Sequence, residues 1–475
     1  MHFILSAKRF LTLSFIFILV LVAFFSIVFP FRCIPWNIMI SGPNEGWNAF
    51  FAQAAMKGEG LYPSPEQLIT NNYPPLSFYA VGFIGTFLGD PILAGRWMAF
   101  LGLLTIAFFI FKIVQELAEE WSAGIIGAAF FIATMGLFFE RYVAMNDQQL
   151  FALAIMIAGF YLFLKAIKRK QGYFLAFTIM VFAGFFKHNI ITLPASALLW
   201  LLVRKEQNNF WKCLAYSVFL IATGFALCYA CYGSNFFFNF FTPRRFLGVQ
   251  EIAALLDLQS VALAVIISFP VLWKHRRESN VALILIMLAV GLGVHFLQRL
   301  GSGVDSNSQF GFNIAVAIAA GMAFHLLALS SSTKKELLRP LFLILLLVPL
   351  LLAPGWQFVK KGCSSNFYQE ACWREQCMLE NIKKVQATPG DVVSEYYIIY
   401  YSGKPFTIDQ FNLEERIQAG RINSAILIDR FKKHQLTKVD VNPDGTWPYD
   451  DHGDYNFLKL KSRFQHWPSA LERVL

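Results

Sequence analysis

The sequence predicts an all-α polytopic membrane protein of about eleven transmembrane helices, with interfacial helices in its first outer loop and a small α/β domain at its C-terminal end. Three observations carry that reading. Over 475 residues, 56% are hydrophobic, 16% are aromatic and only 15% are charged, with a mean hydropathy of +0.51. A chain so apolar cannot hide its non-polar surface by folding into an ordinary water-soluble globule. Its hydrophobic residues fall into long runs separated by short polar or basic turns. That pattern stops near residue 360, after which charge rises and apolar runs shorten.

Lys8 and Arg9 precede an apolar run over residues 10–30. The run is long enough to cross a hydrocarbon core about 30 Å thick and too long for the apolar part of a signal peptide, and no small-residue cleavage site follows it. It reads as an uncleaved signal anchor with its N-terminus in the cytoplasm. The apolar piece at 75–88 is short, which suits an interfacial or re-entrant helix, and 91–113 reads as the second crossing. Further spans read at 121–139, 148–164, 173–186, 190–203, 210–232, 252–273, 281–297, 310–329 and 341–359.

The net charge of +10 does not indicate nucleic acid, because the lysines and arginines sit in short clusters between apolar runs and not along one basic face. They report topology instead. With the N-terminus inside and 75–88 excluded from the spans, the run from Lys165 to Lys170, the group Arg204, Lys205 and Lys212, the run from Lys274 to Arg277, and the group Lys334, Lys335 and Arg339 all become cytoplasmic. Counting 75–88 as a crossing would put the later clusters outside, against the positive-inside rule. The turn 112–120, with its three glutamates, argues neither way.

The chain thus divides into a transmembrane region, 1–359, whose outer loop 31–90 carries acidic residues, and a small soluble α/β domain on the outer face, 360–475. In the tail, 391–401 reads as β-rich, 413–419 and 425–434 as helices, and 438–441 as a strand. Cys213, Cys228 and Cys231 lie in or beside one span, where thiols behave as small hydrophobes. Cys363, Cys372 and Cys377 are close together in the outer segment, where oxidation is permitted, so one disulfide among them is expected, with Cys33 as a further partner. No histidine sits near them at zinc-ligand spacing.

Ionisable residues at span ends are costly in so apolar a chain and are candidates for function. On the outer face they are Glu45, Arg96, Glu140, Arg141, Asp147, Lys187 with His188, Arg244 with Arg245, Arg299 and Asp305. The set suits an anionic lipid substrate, with cations holding a phosphate and a carboxylate taking a proton from an incoming hydroxyl. Each has a plainer reading. Glu45 can be a carboxylate favoured by a helix macrodipole, Asp147 an N-cap, Lys187 a snorkelling side chain, and the Arg244–Arg245 pair an interfacial anchor beside phenylalanines. Asp305 lies in a turn-forming sequence.

The loop places Asn44 and Glu45 at a helix start, then Gly58-Glu-Gly-Leu-Tyr62, then Tyr73-Pro-Pro-Leu76, then Gly89-Asp-Pro-Ile-Leu-Ala-Gly-Arg96 entering the next span. This order resembles the C-type (GT-C) glycosyltransferases, and within them the protein O-mannosyltransferase and aminoarabinose-transferase branch. The turn Gly184-Phe-Phe-Lys187-His188-Asn189 resembles that branch's lysine-containing turn, and Asp147 falls where many members carry a second outer acidic residue. The tail sequences Gly390-Asp-Val-Val-Ser-Glu and Gly403-Lys-Pro, with Asp409, resemble the outer tails of relatives.

The resemblance implies an integral protein of a bacterial cytoplasmic membrane that moves a sugar from a polyprenyl-phosphate donor to a lipid, glycan or protein hydroxyl on the outer face, by a single inverting displacement. It implies Glu45 and Asp147 as catalytic carboxylates and Asn44, Tyr73, Arg96, Lys187 and His188 as substrate-binding residues, to which Arg244 and Arg245 are added as outer-face cations able to hold a phosphate. One position departs from the family, which has an aspartate where this chain has Asn44. An amide takes no proton at neutral pH, so Glu45 or Asp147 carries the role, or activity is lost. A divalent metal stays open, since the outer carboxylates are too dispersed in sequence to define a site. Two other classes compete: a transporter or flippase with the same charges along its pathway, and a non-catalytic membrane scaffold. The crowding of polar residues at outer span ends, not at mid-depth, disfavours the first.

Overall fold

A computed structural model describes residues 2–40, 42–241, 258–301, 304–329 and 337–409, and in the tail 412–413, 416, 436–439 and 443–446. The apolar runs are helices. Among the described residues, seven are long and apolar enough to cross a membrane: Arg9–Cys33, Pro91–Ala118, Trp121–Phe138, Gln148–Arg169, Gln207–Tyr232, Ser279–Arg299 and Ser306–Ala328. An eighth forms if Leu338–Leu351 and Trp356–Cys363, bent by 76°, count as one span. The remaining expected spans are helices of 12, 12 and 13 residues at Tyr173–Gly184, Thr192–Val203 and Ala262–Lys274. At 1.5 Å per residue these are about 18–20 Å long, short of the hydrocarbon thickness. Among the described residues, length and composition therefore account for seven of the eleven expected crossings, or eight with the bent pair, and the start of the span expected at 252–273 lies outside those residues.

Ser306–Ala328 is the centre of the bundle, 89% buried, whereas the N-terminal span is only 28% buried and turns Phe10, Phe17 and Phe24 outward. Small residues let the central helix be enclosed. A Cβ on Gly127 would come within 2.9 Å of the Ala317 carbonyl oxygen, and one on Gly321 within 2.6 Å of that of Ala123.

At one end of the bundle, Glu116 pairs with Lys165 and Lys168, while Glu120 accepts from Arg339 at 2.7 Å and meets His325 at 2.9 Å. The turn whose charges argue neither way thus holds two of its three glutamates, Glu116 and Glu120, against basic residues of neighbouring helices. The opposite end carries a cap built from the first loop and the tail. Helix Gly42–Lys57 packs on Leu76–Leu88, where Gly82 lies against the Ala52 backbone. Leu76–Leu88 stops at Gly89, whose φ of +78° suits glycine, and Asp90 caps the next helix by accepting from the Ile92 amide at 2.8 Å ahead of Pro91.

The tail differs from expectation. Only Asp391–Val393 of the expected β-rich stretch is a strand, paired in parallel with Leu436–Lys438, close to the strand expected at 438–441. Tyr396–Tyr401 is a helix. Packing overrides the β-propensity of its tyrosines and isoleucines: Tyr396 to Ile399 are all buried, and the helix lies so close to Gly46 that a Cβ there would sit 2.2 Å from the Tyr396 carbonyl carbon. The helix expected at 425–434 and most of that at 413–419 lie outside the described residues. The expected disulfide is absent, since all seven cysteines are free. Cys372 and Cys377 share the helix Phe367–Ala387, and five residues of helix turn them to different faces.

Candidate functional site

The first loop is anchored by a buried ion pair. Glu45, in the first turn of Gly42–Lys57, accepts from Arg96 Nε at 2.7 Å through Oε1 and from Arg96 Nη2 at 2.8 Å through Oε2. Two amides complete the shell, Asn146 N–H on Oε1 at 3.2 Å and Ile40 N–H on Oε2 at 3.0 Å. Each oxygen thus accepts two hydrogen bonds, which fills the carboxylate's usual acceptor sites. Arg96 also donates to the carbonyls of Ile34, Trp36 and Ile38 at 3.4, 2.7 and 2.6 Å. Both side chains are essentially fully buried. The pair fastens the chain after the first span to the second, and in this conformation Glu45 has no acceptor site left for a substrate proton. Asn44, beside it, is only partly buried.

Asn146 carries the connection to the second acidic residue. Its Nδ2 donates to the Glu45 carbonyl at 3.1 Å, and its own carbonyl accepts from Asn48 Nδ2 at 2.7 Å. Gln148 Nε2 in turn donates to Asn48 Oδ1. Asp147 lies next in the chain and caps Gln148–Arg169, accepting from the Gln149 amide at 2.7 Å. The plain N-cap reading is therefore correct, but it is not the whole of the residue's role. Lys187 Nζ lies 3.4 Å from each Asp147 carboxylate oxygen and 4.2 Å from the centroid of the Tyr73 ring. Burial opposes the lysine's charge, yet Asp147 and Tyr73 outweigh it and raise the Lys187 pKa.

The lysine turn and the Tyr73 segment are tied together, since the Leu76 amide donates to the Phe185 carbonyl at 3.2 Å. Tyr73 packs edge-on to Trp47 at 5.3 Å, and its carbonyl accepts from the Tyr62 hydroxyl at 2.9 Å. His188, exposed, has its ring 6.1 Å from Tyr73 and 4.9 Å from Phe240. The structure thus brings Tyr73, Asp147, Lys187 and His188 into one cluster, with Glu45 and Arg96 linked to it through Asn146. Arg244 and Arg245 lie outside the described residues. Arg141 makes a two-pronged contact with Asp305 at 2.8 and 2.7 Å, and the Tyr142 hydroxyl donates to the same carboxylate. Glu140 opens the short helix Glu140–Val143, where burial pushes its carboxyl up to about 7.

Sequence reasoning missed Asn48, Asn146 and Gln148, although the polar run from Asn146 to Gln149 at the start of an apolar span was a signal. It also missed the tail's hold on the loop. Asp409, fully buried, accepts from Trp47 Nε1 at 3.2 Å and the Tyr396 hydroxyl at 3.1 Å, so that Trp47 is held against Tyr73 from the far end of the chain. Arg416 donates to the carbonyls of Pro65 and Gln67 at 2.6 and 2.7 Å. Among the described residues no three His, Cys, Asp or Glu side chains converge as a metal site would need.

The described residues thus form a bundle of apolar helices, capped at one end by the first loop and the tail, with a lysine–carboxylate pair under that cap, the architecture of a polytopic membrane protein. Residues 72–230, from the Tyr73 segment through the lysine turn, match the dolichyl-phosphate-mannose-protein mannosyltransferase family. The structure is similar to ArnT from Cupriavidus metallidurans in the apo state, with a TM-score of 0.58 and 13% identity over 90% of this chain and 92% of that one. It is also similar to ArnT from the same organism bound to undecaprenyl phosphate, with a TM-score of 0.55 and 13% identity over 88% and 90% of the two chains. At such identity the likeness is one of fold. A search of curated proteins finds no match.

Proposed function

We propose that this protein transfers a sugar from a polyprenyl-phosphate donor to the hydroxyl of a lipid, glycan or protein acceptor on the outer face of a bacterial cytoplasmic membrane. The observation that carries the reading is the buried Lys187–Asp147 pair over the Tyr73 ring, at the capped end of the bundle. At 3.4 Å its contacts are longer than the 2.7–2.9 Å of a tight charge-assisted bond. A donor phosphate at Lys187 would replace Asp147 as the lysine's partner and free the carboxylate.

Asp147 then takes the proton of the acceptor hydroxyl as its oxygen attacks the anomeric carbon. The bond from that carbon to the phosphate oxygen breaks, the electron pair leaves with the polyprenyl phosphate, and configuration inverts. Lys187 offsets the charge that develops on the leaving group. Tyr73 and His188 border the same space, and Arg244 and Arg245 are assigned to the donor's phosphate from their charge in the sequence alone. Glu45 and Arg96 hold the loop in place. The family match over 72–230 supports the donor class, and the undecaprenyl phosphate bound by the second ArnT structure is a lipid phosphate of that class. For topology, the gathering of Glu116, Glu120, Lys165, Lys168 and Arg339 at the end away from the cap supports a cytoplasmic assignment for that end.

The test is sugar transfer by purified protein in liposomes, supplied with undecaprenyl-phosphate-linked mannose, glucose or arabinose and an envelope lipid or glycan acceptor. Transfer that is lost in Asp147→Asn supports the reading. Absence of both transfer and undecaprenyl-phosphate binding by the wild type would overturn it in favour of the scaffold.

A further inference from the structure

Two positions beyond each member of the charged pair lies an uncharged polar residue, Gln149 after Asp147 and Asn189 after Lys187. These two residues line one small cavity of about 10 Å³ at the capped ends of the surrounding helices, together with Thr192, Gln298 and Ser308. Gln149 is 3% exposed. Its amide nitrogen donates to the Asn307 carbonyl at 3.3 Å, and Asn189 is fixed in both directions by Gln298, Nδ2 to Oε1 at 3.3 Å and carbonyl from Nε2 at 2.6 Å. With their donors so used, Gln149 Oε1 and Asn189 Oδ1 are buried acceptors with no hydrogen-bond partner among the described residues. Leaving such atoms empty beside a void whose other walls include the aliphatic side chains of Leu153, Leu193 and Val294 is unfavourable unless something donates to them. The cavity is about the size of one hydroxyl group or one water. Gly311 keeps the wall thin, since a Cβ there would fall 2.5 Å from Thr192 Oγ1.

We propose that this cavity is a hydroxyl subsite, receiving one hydroxyl of the sugar carried by the polyprenyl phosphate and setting which sugar fits. The inference rests on the transferase reading above and deepens it. The Gln149 backbone amide holds Asp147 while its side chain faces the cavity, so one residue couples the site's carboxylate to a hydroxyl of the donor. A hydroxyl is a fitting class because the unsatisfied atoms are acceptors and the space admits a single small group, whose one proton goes to Gln149 Oε1 or to Asn189 Oδ1. A phosphate brings oxygens that cannot donate to them when ionised, and belongs at Lys187.

The experiment measures the affinity of the full-length protein in detergent for bare undecaprenyl phosphate and for undecaprenyl-phosphate-linked mannose, glucose and arabinose. The wild type is compared with Gln149→Met and Asn189→Leu. Loss of one buried hydrogen bond predicts about a tenfold weaker affinity for the preferred sugar-lipid, with bare lipid phosphate held within about twofold. A donor lacking the critical hydroxyl should bind wild type and Gln149→Met equally. Equal losses for bare and sugar-bearing lipid would make the residues merely structural and overturn the subsite, and so would variants that bind the sugar-lipid as wild type does, which is the result for a cavity holding only water. If the wild type binds bare and sugar-bearing lipids alike, the subsite fails while the lipid-phosphate site stands. If it binds neither, the transferase reading fails first.

Discussion

Lys187 Nζ stands equidistant, at 3.4 Å, from the two carboxylate oxygens of Asp147, while Glu45 is clasped at 2.7 and 2.8 Å by two nitrogens of Arg96. Two buried acid–base pairs at the same end of the bundle therefore differ in kind. The Arg96 pair is short, two-pronged and saturated by backbone groups, as an anchor should be. The Lys187 pair is long, and among the described residues the further hydrogen bond to the Asp147 carboxylate comes from the capping amide of Gln149.

That contrast ranks the carboxylates. Asp147→Asn keeps the cap and the side-chain volume but removes proton affinity, so transfer should fall by roughly 10²-fold or more, the usual range for loss of a general base. Lys187→Ala should weaken binding of undecaprenyl phosphate itself. Glu45→Gln should act mainly through folding. Side-by-side assays of transfer, lipid binding and folded yield on the three variants separate these roles. Full activity in Asp147→Asn with folded but inactive Glu45→Gln would return the base to Glu45.

Breaking the Glu45–Arg96 pair leaves one charge buried without its partner. Arg96→Met should therefore destabilise the protein by about 3–5 kcal/mol, the usual cost of orphaning one member of a buried pair. Folded yield and thermal unfolding in detergent measure this. The double variant Glu45→Gln with Arg96→Met should recover part of the loss, because no uncompensated charge remains.

Asp409 links stability to pH through the cap. Burial raises its carboxyl pKa despite hydrogen bonds from Asn412, Trp47 and Tyr396. A carboxyl with a raised folded pKa binds more protons folded than unfolded between its two pKa values, so its contribution to stability falls as pH rises above the ordinary carboxylate range toward the folded value. In thermal melts from about pH 4 upward, wild type should lose stability relative to Asp409→Asn. Parallel melting curves for the two proteins would show that the carboxyl does not titrate differently on folding.

The bundle was legible because membrane helices announce themselves by length and apolarity within one stretch of sequence, and the stops at Gly89, Asp90 and Pro91 are equally local. Lys187 and Asp147 were legible for the same reason, as charges at the ends of apolar runs. What sequence could not give is pairing at a distance. Arg96 lies 51 residues from Glu45, and Asp409 lies 362 residues from Trp47, so nothing local distinguished an anchor carboxylate from a working one. The helix Tyr396–Tyr401 was misread as strand because its residues favour β-structure, and only the close approach to Gly46 decides otherwise.

The cysteines give a test of the tail that is independent of activity. Cys363 and Cys372 are exposed, Cys377 is partly buried and Cys33 is fully buried, and all are free. Cys372 and Cys377 are separated by five residues of one helix, about 140° apart around its axis, so a bond between them would require that helix to unwind. A membrane-impermeant maleimide added to sealed right-side-out vesicles should thus label Cys363 and Cys372 quickly and Cys377 more slowly, while Cys33 should react only after denaturation. Fast labelling also reports topology, because it requires the tail to face the outside. Labelling that needs prior reduction would reinstate a disulfide, and labelling that appears only after the vesicles are opened would place the tail in the cytoplasm and move the Lys187–Asp147 site with it.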